Sequence, residues 1–275
     1  VTRNNQIIEF LKEASSMELT AQQIARFHET GYLTFPSLFS REEIAPVQQA
    51  AVRSVQNKGP NVTPEFNTES VRMVHGAHAH EPAINKLCRH PRVIRPAEQL
   101  VASGVYIHQS RLNYNAGLGS GGFDWHQDYA TWRKVDGLPE PRALMITVFL
   151  DDVTAAVGPL LFIPGSHRDG VIDDFEPVRD ATGNVLMRLA ERRLIELVER
   201  GGGVEAGVGP AGTVIFMHCN LVHGSTPNIT PLRRALFYIN VNSVENRQTA
   251  FTRAEFHAGT DFSAIVPVED DALVR

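Results

Sequence analysis

Hydrophobic and polar positions change rhythm once along this chain. Over about residues 1–103 they recur mainly with helical spacing. Thr20 followed by Gln23 is a capping-box pattern, Ile24 and Phe27 continue an apolar stripe, and Gly31 supplies a stop. The run YLTFPSLF then alternates, with Leu33 and Phe35 on one side, and predicts a short strand. Ser40 with Glu43 repeats the capping pattern ahead of a second helix carrying Ile44, Val47 and Ala51, whose early turns Pro46 is expected to distort. A third helix is predicted over Pro91 to Ala102. From Val105 the texture becomes a series of short β-prone runs punctuated by Gly and Pro: VYIHQSRLNY, RALMITVFLDDV, GPLLFIPGSH, GTVIFMHCNLVHG and RRALFYINVN. Several such runs without regular intervening helices predict an antiparallel sandwich or jelly roll, mainly β with flanking helices.

The pattern fits a single domain over residues 1–275, with a helical part of about 1–103 and a β-core of about 104–250. One charged insertion, Asp169 to Gly207, interrupts the core and ends in the helix-like piece LMRLAERRLIELVERGGG. A connection of that length in a compact domain is expected to act as a lid or cover. The composition, 43% hydrophobic and 21% charged, is that of a globular protein. A net charge of -5 with no basic block argues against nucleic acid or an anionic membrane as partner. The two cysteines, Cys88 and Cys219, rule out a disulfide scaffold and suit a reducing compartment. The N-terminal stretch VTRNNQIIEFLKEASS has no apolar run with a small-residue cleavage site, and no segment approaches the roughly 20 apolar residues of a membrane span, so a cytosolic protein is expected.

The sharpest chemical signal is FDWHQDYATW. His126 and Asp128 are two apart, and on a strand that spacing points both to one face. One imidazole, one carboxylate and a remote histidine make a 2-His-1-carboxylate facial triad, which leaves three positions of an octahedron open and suits iron(II). An H-x-D alone is weak and also reads as a polar strand end. His223, in LVHGSTPN directly after an apolar strand, supplies the remote histidine, and Arg234 follows eleven positions later on the next strand. A dicarboxylate cosubstrate needs that arginine, because a planar fork grips the far carboxylate as lysine cannot. Spacing leaves rivals open: His218 for His223, Arg233 for Arg234, and His108 and His167 as further histidines of the β region. Gly117 to Gly122 has the look of a phosphate loop, but no helix is predicted after it and a turn is expected. Cys219 is expected to be packing; a zinc site would want more thiolates or a third histidine in place of Asp128.

At this point the chain resembles a known family, the phytanoyl-CoA dioxygenase superfamily of double-stranded β-helix (jelly-roll, cupin-like) oxygenases. The likeness starts with LTAQQIARFHETGYLTFPSLFSREEI, continues through WHQDYATW and GPLLFIPGSH, and ends with LVHGSTPN and the arginine. It implies that His126, Asp128 and His223 bind Fe(II), that Arg234 binds 2-oxoglutarate, and that O2 is the oxidant. Within the superfamily, VYIHQSRLNY, WHQDYATW and DGLP are similar to ectoine hydroxylases and to bacterial free-leucine hydroxylases. That likeness implies 2-oxoglutarate contacts from Asn113 and Ser225, and a substrate pocket lined by Gln109 and Trp132. The chain departs from the ectoine pattern at Gln127, where Ser is usual, at Tyr129-Ala130, where Phe-Glu is usual, and at Arg133, where His is usual. WRKVDGLPEPRA looks more like the leucine-hydroxylase group. Halogenases of the superfamily carry Gly or Ala in place of the carboxylate ligand, so by this resemblance the presence of Asp128 disfavours halogenation and leaves hydroxylation or desaturation open.

The expected activity is hydroxylation of an aliphatic C–H in a small amino acid or amino-acid derivative, free or N-substituted, with release of succinate and CO2. Ectoine or another compatible solute is the alternative substrate, and a silent β-barrel binding protein the alternative class. An amino-acid carboxylate needs a cationic anchor, for which Arg72 and Arg111 are candidates and Arg142 a weaker one; each reads equally as a structural ion pair. Trp132 reads as a flat pocket wall or as a core aromatic. By the family likeness a homodimer is expected.

Overall fold

The structure is a computed structural model and describes residues 17–65, 70–179 and 185–275. The stretch read above for a signal peptide falls at residues 1–16, outside the described residues. Thr20 and Gln23 form their capping box at the start of helix α1 (Ala21–Thr30), and Gly31 ends it in the left-handed conformation at φ 86°. Strand β1 (Tyr32–Phe35) leads to a second capping box, Ser40 with Glu43, which opens α2 (Arg41–Gln56). That helix runs unbroken through Pro46, counter to the expected distortion. The N–H that Pro46 lacks would have met the carbonyl of Glu42, an exposed residue that water can serve. A hairpin of β2 (Val62–Pro64) and β3 (Val71–His75) and a short helix α3 (Pro82–Cys88) precede α4 (Pro91–Val101). The sequence pattern shows neither the hairpin nor α3.

The β region contains β4 (Val105–Asn115), β5 (Phe123–His126), α5 (Asp128–Thr131) running into a π turn (Trp132–Asp136), β6 (Ala143–Phe149) and β7 (Leu160–Phe162). Then come β8 (Phe175–Arg179), β9 (Val185–Leu189), α6 (Glu191–Gly201), β10 (Glu205–Gly207), β11 (Val214–His218), β12 (His223–Ser225) and β13 (Arg234–Ser243). A large sheet has the order β1-β11-β6-β13-β4-β3-β2 and a small one β10-β7-β12-β5, all neighbours antiparallel. This is the expected jelly roll.

Alternation along the strands sorts side chains between two layers. On β13, Ala235, Phe237 and Ile239 face the helices and meet Ile44, Val47, Ile94 and Leu100. Leu236 and Tyr238 face inward, and pack with Met145 and Phe149 against Leu160 and Phe162 of the small sheet. Arg234 falls on that inward face by the same alternation.

The insertion differs from expectation twice. Its helix-like piece begins as strand β9 and becomes helical only at Glu191. Its helix α6 also does not lie over the interior. Leu194, Leu197 and Val198 of α6, with Leu189, pack on Ile163, Val222 and Trp125, behind the strands of the small sheet. An apolar helix stripe seeks apolar surface, and that outer face offers it. Beyond β13 the chain runs along β4, where the Gly259 N–H donates to the His108 carbonyl at 2.7 Å and the Ile265 N–H to the Val105 carbonyl at 2.8 Å. It thereby covers the part of the β4 edge that β3 leaves bare.

Phe237 is fully buried between the large sheet and the helices. Phe237→Ala is expected to lower stability by about 3–5 kcal/mol, seen in urea as a lower midpoint at unchanged slope; a loss under about 1 kcal/mol would contradict this account of the core.

Candidate metal centre

His126 and Asp128 do not share a strand, contrary to the reading of their spacing. Strand β5 ends at His126, Gln127 is extended at φ -120° and ψ 129°, and Asp128 is the first residue of α5. The buried side chain of Gln127 makes this turn. Its Nε2 donates to the carbonyls of Gly170 at 2.9 Å and Asn220 at 2.7 Å, and its Oε1 accepts from the Ile172 N–H at 2.9 Å. A buried amide with both ends satisfied is costly to move. The third residue comes from the adjacent strand, since His223 on β12 is the register partner of His126. The register slips between His223 and Ser225, where Ser225 pairs with Phe123. That bulge lets Phe123 and His126, three apart, both line the interior.

The ligand atoms of His126, Asp128 and His223 lie within 4.8 Å of one another, so the three can converge on one ion. Nδ1 of His126 lies 2.7 Å from the Asp124 carbonyl, and Nδ1 of His223 lies 2.9 Å from the Leu221 carbonyl. Both Nδ1 atoms therefore carry the proton, and both Nε2 lone pairs are free for a metal. Burial pushes His223 down to about 4, aided by the neighbouring His126, which keeps its imidazole neutral as a ligand must be. For Asp128, burial works to raise the carboxyl, but the adjoining His126 and the charge of Arg111 outweigh it and hold the acid well below the usual range. Its Oδ2 is buried without a hydrogen-bond partner. Two imidazoles and a carboxylate suit a borderline divalent ion such as iron(II).

The rival histidines are engaged elsewhere. His218 accepts from the Asn220 N–H at 3.0 Å and stacks against His167, whose Nε2 lies 3.1 Å from the His28 carbonyl. His108 meets Asp136 at 3.1 Å and packs edge-on against Trp132. Arg233 is paired with Asp151, Nε to Oδ2 at 2.8 Å. Cys219 is buried beside Tyr129 and Trp132. Gly117 and Gly119 have φ of 109° and 85°, and no helix follows Gly122 directly.

A cavity of about 60 Å³ opens beside the triad, walled by Arg111, Asn113, Ser225 and Tyr238 together with Leu160 and Phe123. Asn113 Oδ1 and Ser225 Oγ are buried with no hydrogen-bond partner. Arg234, 3% exposed, has an unpartnered Nε, and no carboxylate among the described residues pairs with it. Burial draws its guanidinium below the ordinary value. A desolvated cation without a counter-charge is an arrangement completed by a bound anion. Arg111 lies 3.8 Å from Asp128, sits over the Tyr238 ring and has its Nε unpartnered.

Four residues expected in the pocket do not line that cavity. Arg72 is held by Glu65 at 2.7 Å and the Gly122 carbonyl at 2.6 Å, over the Phe123 ring. Its charge is met there, and it supports a wall residue. Trp132 is buried among Tyr129, Leu138, Ala143 and Cys219. Gln109 donates to the His257 carbonyl at 2.9 Å and accepts from Asn240 at 3.1 Å. Arg142 pairs with Glu245 at 2.8 Å. Sequence reading missed Asn115, whose Oδ1 accepts from Asn228 at 3.0 Å and ties down the loop after His223. The signal was available: Gln109, Arg111, Asn113 and Asn115 put polar groups at every second place of one strand.

With this geometry in hand, the comparisons with known proteins are direct. The phytanoyl-CoA dioxygenase (PhyH) family profile matches residues 27–236, and the chain belongs to that family. It is 37% identical to the ectoine dioxygenase of Sphingopyxis alaskensis, over 83% of this chain and 78% of that one. It is 31% identical to the L-proline trans-4-hydroxylase of Streptomyces griseoviridis, over 90% of this chain and 96% of that one. The crystal structure of EctD from S. alaskensis with 2-oxoglutarate and 5-hydroxyectoine matches with a TM-score of 0.80 and 34% identity, covering 91% of this chain and 87% of that chain. The same enzyme with bound Fe gives a TM-score of 0.79 at 35% identity and the same coverage.

Removing the clamp, Gln127→Ala, is expected to weaken Fe(II) binding about 10–100-fold while the fold persists; an unchanged metal titration would show that Gln127 does not set the ligand geometry. Burial also depresses His75, to about 3, and His218, to about 4, from 6.5. The unfolded chain therefore takes up protons first as pH falls, so stability present above pH 6.5 is lost between there and the folded values. Urea midpoints of the metal-free protein should fall from pH 7.5 to pH 5, by about 1–2 kcal/mol per histidine, and a flat profile would contradict the buried, neutral state of these rings.

Proposed function

We propose that this protein is an Fe(II)- and 2-oxoglutarate-dependent hydroxylase of an aliphatic C–H in a small amino acid or amino-acid derivative, free or N-substituted. One observation carries the reading: Arg234, a buried arginine with no carboxylate partner among the described residues, falls on the same inward face of β13 as Tyr238, which lines the cavity beside the His126, Asp128 and His223 triad. Iron(II) at the triad, with 2-oxoglutarate and O2, supplies the oxidative decarboxylation that releases succinate and CO2 and delivers the hydroxyl oxygen. The chain's own part is binding and placement. His126 and His223 present Nε2, each ring fixed by its Nδ1 proton on a backbone carbonyl. Asp128 stays ionised as the anionic ligand. Arg234 takes the far carboxylate of 2-oxoglutarate, while the unpartnered Ser225 hydroxyl and the side-chain N–H of Asn113 donate to its oxygens. Phe123, Leu160 and Tyr238 line the space and exclude water.

The likeness to ectoine dioxygenases, at 37% identity, favours ectoine or another compatible solute as the second reading. The likeness to L-proline trans-4-hydroxylase, covering 96% of that protein, favours an amino acid. No helix among the described residues is long and apolar enough to cross a membrane. Two free, buried thiols, Cys88 and Cys219, support a cytosolic setting.

The test is succinate release by anaerobically iron-loaded protein given 2-oxoglutarate and O2, across aliphatic amino acids, N-acyl amino acids and ectoine. Substrate-stimulated succinate is expected, lost in Asp128→Ala, with apparent affinity for 2-oxoglutarate reduced about 10–100-fold in Arg234→Lys. Iron and 2-oxoglutarate binding with no stimulation by any compound would remove the substrate class. Binding of neither would remove the oxygenase reading.

A further inference from the structure

Polar side chains continue along the interior beyond the metal centre. His75 on β3 is the register partner of Arg111 on β4, so the two side chains share the face that lines the cavity. His75 is 5% exposed and its Nδ1 has no hydrogen-bond partner. The Nε of Arg111 is buried and unpartnered as well. The ring of His257 stands edge-on to His75 with centroids 4.3 Å apart. It comes from the stretch after β13, which Gln109 holds through the His257 carbonyl and which the Gly259 N–H fixes to β4. Gln109 thus acts here as the support of a wall residue.

The charges around this spot are unbalanced. Burial holds His75 neutral, at about 3, and the charges of Arg111, His257 and Arg253 add to that effect. Two acids are close to these groups. Asp128 lies 3.8 Å from Arg111 and belongs to the metal triad. Asp136 is taken up by Arg253, at 2.5 and 2.7 Å, and by His108, at 3.1 Å. A neutral imidazole N–H and a guanidinium edge therefore border the interior, and no uncommitted acid among the described residues meets them.

We propose that His75, Arg111 and His257 form the wall that receives the substrate's carboxylate, which makes a free carboxylate a requirement for substrates of this enzyme. The proposal rests on the hydroxylase reading above and adds to it which end of the substrate is read and by which residues. Arg111 supplies the charge, His75 a directional donor, and the half-buried His257 closes the wall at its rim. Because Arg111 also neighbours Asp128, the anchored carboxylate fixes how far the remaining carbons lie from the metal.

The experiment uses the anaerobic Fe(II)·2-oxoglutarate protein, whose visible charge-transfer band reports first cosubstrate and then substrate binding. L-proline, L-leucine and ectoine are titrated beside L-prolinamide and L-leucinamide. At least one acid is expected to bind wild type about 30-fold or more tightly than its amide. His75→Phe should cut that ratio about 10-fold with 2-oxoglutarate affinity unchanged, and His75→Gln, which keeps a donor, should restore most of it. A merely structural role would weaken acid and amide alike. Equal binding of acid and amide by wild type, uptake of no acid, or an unchanged ratio in His75→Phe overturns the proposal. Absence of the band before any substrate is added is a separate result: it defeats the oxygenase reading and this proposal with it.

Discussion

Three hydrogen bonds to the buried amide of Gln127 govern where the neighbouring ligands point. On one side the chain is extended and paired in the small sheet; on the other it turns at once into a helix. A side chain anchored to Gly170, Asn220 and Ile172 ties that transition to two other segments of the fold. The imidazole and the carboxylate then converge although they belong to different kinds of secondary structure. His223 needs no such device, because strand pairing sets it opposite His126. The centre is therefore built by backbone pairing on one side and by a single satisfied amide on the other, and the insertion packed behind Trp125 and Val222 stiffens both.

The interior is arranged around positive charge. Arg234 and Arg111 lie within it, whereas Arg72 and Arg253 at its margins are matched by Glu65 and Asp136. The matched pairs hold walls and loops; Arg111 reaches Asp128 at 3.8 Å, and Arg234 has no carboxylate partner among the described residues. Burying a cation without a partner is among the larger penalties a fold can carry. Here the surrounding packing, with Phe237 and Ile239 on one side of the sheet and Leu236 and Tyr238 on the other, is extensive enough to carry it.

Much of this was legible in the sequence, for reasons that differ by element. Capping boxes announce α1 and α2 because their determinants are local. The β-prone runs announce the jelly roll because alternation and turns are local too. His126, Asp128, His223 and Arg234 stood out as residue types, and the structure places the first three within 4.8 Å of one another. What could not be read depends on contacts distant in the chain. The spacing of His126 and Asp128 suggested one strand, because nothing local reveals that Gln127 is clamped from Gly170 and Asn220. Arg72 and Arg111 looked equivalent; only the pairing of Arg72 with Glu65 separates them. The insertion looked like a cover because its length is visible in sequence and its docking surface is not. His257 gave no signal, since it acts through a stretch with no regular secondary structure.

The unpartnered guanidinium of Arg234 has a consequence for how long the protein survives. A fold that holds a desolvated cation is firmer when an anion occupies the site, because whatever binds the native state alone shifts the unfolding balance in its favour. Proteases that act on transiently opened molecules sample that balance directly. On the proposed reading, 2-oxoglutarate bound at Arg234 would therefore slow proteolysis of the protein as well as serve its reaction.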